Sequence, residues 1–135
     1  MSNLKLPTLN FARLIQFVPK PGDHKKIGYA THVEQPSQGI LYLKHHENII
    51  AAFIDSMVIL STAGWQSRTT TDRLHRVLMA HGDHGYGFRM HQGDTWLTLD
   101  GKKVANMRQV TSIAFNFEPD ENGNRVLTMG SIGWR

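Results

Sequence analysis

Turn-forming residues interrupt this chain so often that long regular elements have little room. Two prolines and a glycine lie within Pro19–Lys26, and further turn sequences follow at Gln35–Gly39 and Asp100-Gly101. Proline and glycine break regular elements and favour turns. The apolar segments between these turns are short, which is typical of β-strands joined by hairpins. We therefore expect a fold dominated by an antiparallel sheet.

Three hairpins are predicted along the chain. The first joins two buried apolar strands between Ile49 and Leu60, with its turn at Asp55-Ser56. The second turns at Asp100-Gly101, a dipeptide that favours the backbone of a tight hairpin. The third turns in the run Pro119–Asn124. The strand residues predicted from the apolar pattern are Phe88, Met90, Trp96, Leu97, Leu99, Val104, Ile113, Phe115, Phe117 and Val126.

One principal helix is predicted, over about Asp72 to His81. A preceding threonine supplies the expected N-cap, Asp72 favours the first turn, and Gly82 permits a left-handed stop. The predicted fold class is therefore α+β, a mainly antiparallel β-sheet with one principal α-helix packed on it. The apolar stripe of this helix follows the i, i+3, i+4, i+7 spacing and consists of Leu74, Val77, Leu78 and His81.

The 135 residues suit a single domain with a substantial apolar core. Within it we distinguish an N-terminal portion (1–39), a core that carries the motifs described below (40–110) and a C-terminal hairpin (111–135). The chain has no cysteine, no long apolar segment and no signal-peptide pattern, so we expect a cytoplasmic protein without membrane contact. Its net charge of +4 favours an anionic partner.

Hydroxyl and guanidinium groups are concentrated where the predicted helix begins. The first amides of a helix lack partners within it, and the summed peptide dipoles leave partial positive charge there, so an anion is stabilised at that end. Hydroxyl and guanidinium groups add further donors for phosphate oxygens. The predicted anion-binding residues are Arg68, Thr69, Thr70, Thr71 and Arg73.

Neighbouring residues extend this hypothesis and also allow a simpler interpretation. Trp65 can present an apolar face to a ring, and His75 can face a ligand from the same turn as Arg73. In the simpler interpretation a threonine only caps the helix, Arg73 and Arg76 face water, and Trp65 belongs to the core. A cluster of threonine and arginine has no strict spacing rule, so the sequence leaves both interpretations open.

Catalytic and metal chemistry have less support in the sequence. A metal site at His81, His84 and His91 would lack the helical spacing of zinc hydrolases, so we expect no metal and no cofactor. Neither a cysteine nucleophile nor the sequence pattern of a serine-nucleophile elbow is present. We therefore expect a binding protein rather than an enzyme.

The segment around the predicted helix resembles a family of small tailed-phage proteins. That family shows a His-x-x-Asn-Ile-Val-like strand, a hairpin ending in Gly-Trp-x-Thr-x-Thr-Thr-Lys-x-Arg-x-Asn, a helix, and a strand with a glutamine and a tryptophan. The chain departs from this pattern at Ser67, Thr71 and His75, and Thr71 replaces a lysine. The matching residues are His45, Asn48, Ile49, Ile50, Gly64, Trp65, Thr69, Thr70, Arg73, Gln92 and Trp96.

Within the phage proteins, the chain is similar to the Thoeris anti-defence sponges. The resemblance implies a compact α+β domain that binds a cyclised ADP-ribose signal, or a cyclic oligonucleotide, without cleaving it. It also implies a homo-oligomer that is built from dimers and reaches the size of a hexamer. In this assignment the arginines contact phosphate, Trp65 or Trp96 stacks on adenine, and Gln92 and Asp100 contact base or ribose edges.

Two alternative functions remain open at this point. One is a phage inhibitor that contacts a host defence complex directly, which predicts an exposed patch of interface size. The other is a small nucleic-acid-binding protein, for which exposed Phe88, Trp96 and Arg89 would form the surface. Its basic residues are interleaved with acidic ones, so we expect a nucleotide rather than nucleic acid as the partner.

Overall fold

The computed structural model describes residues 6–54, 56–82, 84–119, 121–122 and 125–135. A 3-10 helix of one turn, Met107–Gln109, directly precedes the strand that begins at Val110. The helices are α1 (Phe11–Leu14) and α2 (Arg68–Met79). The strands are β1 (His24–Gly28), β2 (Thr31–Ser37), β3 (Ile40–His45), β4 (Asn48–Ile54), β5 (Met57–Leu60), β6 (Tyr86–His91), β7 (Asp94–Leu99), β8 (Lys102–Asn106), β9 (Val110–Pro119) and β10 (Arg125–Trp134).

These strands form two sheets rather than the single sheet expected from the sequence. Seven strands are ordered β1-β2-β3-β4-β5-β9-β10, and three are ordered β6-β7-β8. Neighbouring strands in both sheets run antiparallel. The predicted α+β class, mainly antiparallel with one principal helix, is confirmed. The helix α2 and the smaller sheet lie in the chain between β5 and β9, which pair directly.

The predicted hairpins are present. Strands β4 and β5 pair with Ala51 opposite Leu60, although Asp55 of the predicted turn lies outside the described residues. Asp100 and Gly101 join β7 to β8 with φ angles of 52° and 81°, the pair of positive values that a tight primed turn requires. Strands β9 and β10 form the third hairpin, while residues 120, 123 and 124 of its predicted turn lie outside the described residues.

Two predicted turns are shorter than the sequence suggested. Strand β1 already begins at His24, inside the expected turn Pro19–Lys26, because Lys25 and Lys26 pair with β2 while their side chains stay exposed. Strand β2 continues to Ser37, although Pro36 removes a backbone donor. The pairing of β2 with β3 shifts register there, and such an irregularity accommodates a proline.

Helix α2 begins four residues earlier than predicted, at Arg68, and ends at Met79. Asp72 therefore lies beyond the first turn. Leu74, Val77 and Leu78 are fully buried, as their spacing predicted. His81 follows the end of the helix; its ring stacks on another aromatic ring, and its Nδ1 lies 2.6 Å from the carbonyl oxygen of Val77. Gly82 has the expected positive φ, at 93°.

One hydrophobic cluster extends from Leu9 to Leu127 and draws on all three portions of the chain. Phe88 belongs to it and is 4% exposed, so the nucleic-acid surface that required an exposed Phe88 is wrong in this respect. Among the described residues, no helix has the length and apolar character needed to cross a membrane.

Candidate functional site

Ser67, rather than a threonine, caps α2. Its backbone is extended, with φ of −117° and ψ of 157°, and its Oγ accepts a hydrogen bond from the Thr70 amide at 3.1 Å. This is the geometry of an N-cap, so the predicted threonine cap is wrong. Within the described chain, the amides of Arg68 and Thr69 have no protein acceptor, as expected for the first positions of a helix.

Two of the three threonine hydroxyls are already used inside the protein. Thr71 Oγ1 donates to the carbonyl oxygen of Ser67 at 2.8 Å and lies 2.6 Å from Thr95 Oγ1, which therefore donates to it. Thr70 Oγ1 lies 2.9 Å from His45 Nδ1 and accepts from Ser67 Oγ at 3.0 Å. Both threonines are buried. Their hydroxyls attach the start of α2 to the two sheets and are closed to an outside ligand.

Arg73 is fully buried and binds three protein acceptors. Nε donates to Thr31 Oγ1 at 2.9 Å, Nη1 to Asp72 Oδ2 at 2.6 Å, and Nη2 to the Tyr29 carbonyl oxygen at 3.3 Å. Burial lowers the pKa of this guanidinium, while the Asp72 carboxylate opposes that shift. The predicted phosphate contact by Arg73 does not fit this geometry. Arg73 instead joins α2 to the β1–β2 turn.

His75 also has a structural position. Its Nδ1 accepts the Phe88 backbone amide at 3.1 Å, which ties α2 to β6. The ring packs so closely on this strand that a Cβ at Gly87 would lie 2.9 Å from His75 Cε1. The predicted role of His75 in facing a ligand is therefore not supported, since its neighbours are the strand backbone.

A pocket of about 350 Å³ lies at the start of α2, and we call it the α2 pocket. Trp65 forms part of its wall and is 61% exposed, so the interpretation of Trp65 as a core residue is wrong. Arg68, which directly follows the cap, is exposed as well. The residues that line the pocket are His45, His46, Asn48, Trp65 and Ser67.

The pocket unites two parts of the motif that are distant in the sequence. His45 and Asn48 face each other across the β3–β4 turn, and Trp65 arrives from the segment before α2. Of the residues that line the pocket, only Trp65 was predicted as a site residue. His45 and Asn48 were noted as motif residues without a role in binding, and the only signal for His46 and Ser67 was their position beside motif residues. His46 occupies the turn with a positive φ of 56°.

His45 forms the buried side of this pocket and is 7% exposed. Burial lowers the pKa of His45, and the neighbouring His46 and Arg73 act in the same direction. The imidazole is therefore neutral at physiological pH. Because Thr70 Oγ1 already accepts from Ser67, its own proton is available for His45 Nδ1, and in this arrangement His45 Nε2 carries the ring proton.

The remaining predicted residues do not line the pocket, and all of them except Thr69 belong to the smaller sheet or its turns. Gln92 and Asp100 occupy the turns at opposite ends of β7, each with a positive φ. Eight residues of strand correspond to roughly 25 Å, so one small ligand cannot contact both. Trp96 is half-buried, and Lys103 Nζ lies 4.7 Å from the centre of its ring. Thr69 is half-buried at the first turn of α2.

The three histidines considered above as metal ligands each lie beside another protein group. His81 and His84 approach the carbonyl oxygens of Val77 and Leu78, and Lys103 Nζ approaches Nδ1 of His91. In the described ranges, no group of three or more histidine, aspartate or glutamate side chains could hold a metal ion.

Fold and pocket together define a class of protein: a small, sheet-dominated α+β domain with a binding-sized pocket beside a helix start. The family model of the Kyanoviridae Gp96 protein matches residues 20–123. The chain belongs to this family and is therefore a phage protein. The match extends on both sides beyond the segment 40–110 in which the motifs lie. No curated protein and no solved structure gives a significant match.

Proposed function

We propose that this phage protein binds and sequesters a small anionic nucleotide signal in the α2 pocket. A cyclic ADP-ribose isomer or a cyclic oligonucleotide has the required chemistry, because it carries phosphates and an adenine-like ring. The observation that carries the proposal is the meeting of an exposed Trp65, a volume of about 350 Å³ and the start of a twelve-residue helix. Pockets for small ligands begin at roughly 300 Å³.

Each part of a nucleotide has a counterpart at this end of α2. The exposed face of Trp65 offers a stacking surface for the base. The amides of Arg68 and Thr69 and the Arg68 guanidinium offer donors and positive charge for a phosphate. The net charge of +4 favours capture of an anion. Arg68 replaces Arg73 as the cation that we assign to the ligand.

Binding without cleavage is supported by the state of the polar groups in the pocket. Ser67 Oγ accepts from the Thr70 amide and donates to Thr70 Oγ1, so its proton and a lone pair are engaged. A nucleophilic serine needs a base that takes this proton. The pocket is open on a single chain, and a tight-binding protein encloses its ligand. We therefore retain the homo-oligomer, dimer-based and up to a hexamer, as part of the proposal.

A thermal-shift screen tests this function directly. The ligands are ADP-ribose, cyclic ADP-ribose isomers and cyclic di- and trinucleotides. A ligand at a hundred times its dissociation constant should stabilise the fold by about 2.7 kcal/mol. Denaturing the complex and recovering the nucleotide intact would show that it is not cleaved. If none of these ligands changes the melting temperature, the proposal is wrong, and a stable complex with a host protein would favour direct inhibition.

Two variants locate the site. Arg68→Ala should weaken nucleotide binding roughly tenfold to a hundredfold, which is the loss of one charge-assisted hydrogen bond. Trp65→Ala removes the stacking surface and should weaken it by a similar factor. Arg89→Ala, an exposed arginine on β6, is the matched control and should bind as the wild type does. Equal losses in Arg68→Ala and Arg89→Ala would point to general charge attraction instead.

A further inference from the structure

The seven-stranded sheet ends in two very different edge strands. Strands β1 and β10 are the outer members of this sheet. An edge strand presents unpaired amide and carbonyl groups, and proteins usually protect such an edge with charge, proline or short length. The two edges can therefore be compared for signs of protection.

Strand β1 is protected by its short length and its charge. It has five residues, and His24, Lys25 and Lys26 are exposed on it. The segment before it contains Pro19 and Pro21. The N-terminal segment also lies at this edge, because a Cβ at Gly28 would collide with the Leu6 side chain. Another strand approaching β1 would meet lysines and a neighbouring segment.

Strand β10 has little of this protection. It has ten residues, and after Arg125, which begins it, the stretch from Val126 to Trp134 contains neither a charged residue nor a proline. Val126 and Trp134, near its two ends, are 38% and 58% exposed. Two register shifts bend its pairing with β9, which protects an edge in part, but they add no charge. In the described part of the chain, no strand pairs with its outer side.

We propose that a second copy of this chain pairs with β10, antiparallel and about a two-fold axis. Glu118, Glu121 and Arg125 lie at the turn end of the β9–β10 hairpin, so these three residues leave a net negative charge there. Arg135 lies at the other end, where its amide donates to the Gln109 carbonyl oxygen. Antiparallel pairing places Arg135 of each copy beside the net negative turn of the other, whereas parallel pairing would place Arg135 beside Arg135. Closed two-fold dimers are the commonest assembly.

The uncharged strand also favours a second copy over another partner. The nine residues from Val126 to Trp134 carry no charge. Two copies of β10 can therefore pair along this stretch without placing like charges opposite each other. The two copies would together form a continuous sheet of fourteen strands. This inference uses none of the residues of the α2 pocket, and so it stands or fails independently of the nucleotide.

The oligomeric state of the full chain tests the proposal. We expect a dimer, or a larger assembly built from it, by sedimentation velocity. Ser131→Lys places two like charges in the interface of each dimer, and the dimer should dissociate about tenfold more readily. Ser37→Lys is the matched control, because Ser37 is an exposed serine on β2 with the same change of charge. A wild type that stays monomeric up to high concentration, or a dimer insensitive to Ser131→Lys, would overturn it.

Cysteine cross-linking keeps the test independent of folding defects. The chain has no cysteine, so a single introduced cysteine reports only its own neighbours. Single cysteines at positions 126, 128 and 131, treated with a short bifunctional thiol reagent, should yield covalent dimers from at least one position. Ser37→Cys should remain monomeric. Cross-linking from Ser37→Cys alone, with none from β10, would contradict the proposed interface.

Discussion

Arginine lies on both the inner and the outer side of the start of α2, in opposite environments. On the inner side Thr70, Thr71 and Arg73 are buried, and each polar group has a protein partner. On the outer side Trp65 and Arg68 are exposed beside a pocket. Hydroxyls and guanidiniums at a helix start therefore do not define an anion site by themselves. Side chains with buried protein partners stabilise the fold, and only exposed side chains remain available to a ligand.

The largest expected effect comes from Arg73→Met, which keeps most of the side-chain volume but removes the guanidinium. The Tyr29 carbonyl and Thr31 hydroxyl lose their donor, and Asp72 loses its closest cation. We expect the free energy of unfolding to fall by about 3 kcal/mol, measured by urea denaturation. Arg68→Met, on the outer side, should change it by less than about 0.5 kcal/mol. If both variants lost a similar free energy of unfolding, the proposed difference between a structural Arg73 and an accessible Arg68 would be wrong.

A smaller effect is expected from Thr71→Val, which removes one hydroxyl of the buried pair with Thr95. The Ser67 carbonyl loses a donor and the Thr95 hydroxyl loses its acceptor, so the cost should be about 1–2 kcal/mol. Replacing both threonines by valine leaves neither hydroxyl without its partner. The double variant should therefore be less destabilised than the sum of the single variants, and strict additivity in a double-mutant cycle would contradict direct coupling.

The pH dependence of stability should be the most modest effect. In the unfolded chain His45 titrates near about 6.5, and in the folded chain the pKa of His45 is lowered by burial. The unfolded chain therefore binds more protons below pH 6.5. Stability is fully present above this value and is lost as the pH falls towards the folded pKa, by at most about 1.4 kcal/mol per pH unit for each such group.

Urea denaturation at pH 7.5, 6.5 and 5.5 measures this slope. His45→Gln should reduce it, whereas Ser37→Gln, at an exposed position without a titratable group, should leave it unchanged. His81 contributes in the same direction, because burial lowers the pKa of His81 too. Asp94 titrates in a lower range, since hydrogen bonds from Asn106 and Arg108 lower its carboxyl pKa. If the free energy of unfolding depended on pH equally in His45→Gln and the wild type, folding would not lower the pKa of His45.

The sequence predicted most of the fold because its turns are encoded locally. Asp100-Gly101 and the alternation of Ile113 and Phe115 are visible without any tertiary information. The start of α2 was placed too late because threonine is a weak helix former. Contacts over long separations compensate for this weakness. Thr71 binds Thr95 and Thr70 approaches His45, more than twenty residues away in each case.

The candidate site was predicted less completely, for a related reason. Arginine is almost never fully buried unless it is paired, so the sequence favoured an accessible Arg73. The groups that accept its hydrogen bonds, at Tyr29 and Thr31, lie more than forty residues away in the sequence. No local sequence pattern indicates that Arg73 contacts them. Trp65 was predicted to stack on a ring because it precedes the helix, and it lines the α2 pocket. His45, His46 and Asn48 were missed as site residues, since only the β3–β4 pairing brings them to the same pocket.

The direct pairing of β5 with β9 has a consequence for biosynthesis. Leu60 lies opposite Ile113, so about fifty residues must be translated after β5 before its outer neighbour exists. At ribosomal speeds of about 5–20 residues per second this takes roughly 3–10 s. During that interval the strands β1 to β5 have been synthesised, and the outer side of the apolar edge strand β5 is unpaired and accessible to other chains. Expression at lower temperature, or with a chaperone that shields nascent strands, should therefore raise the yield of folded protein.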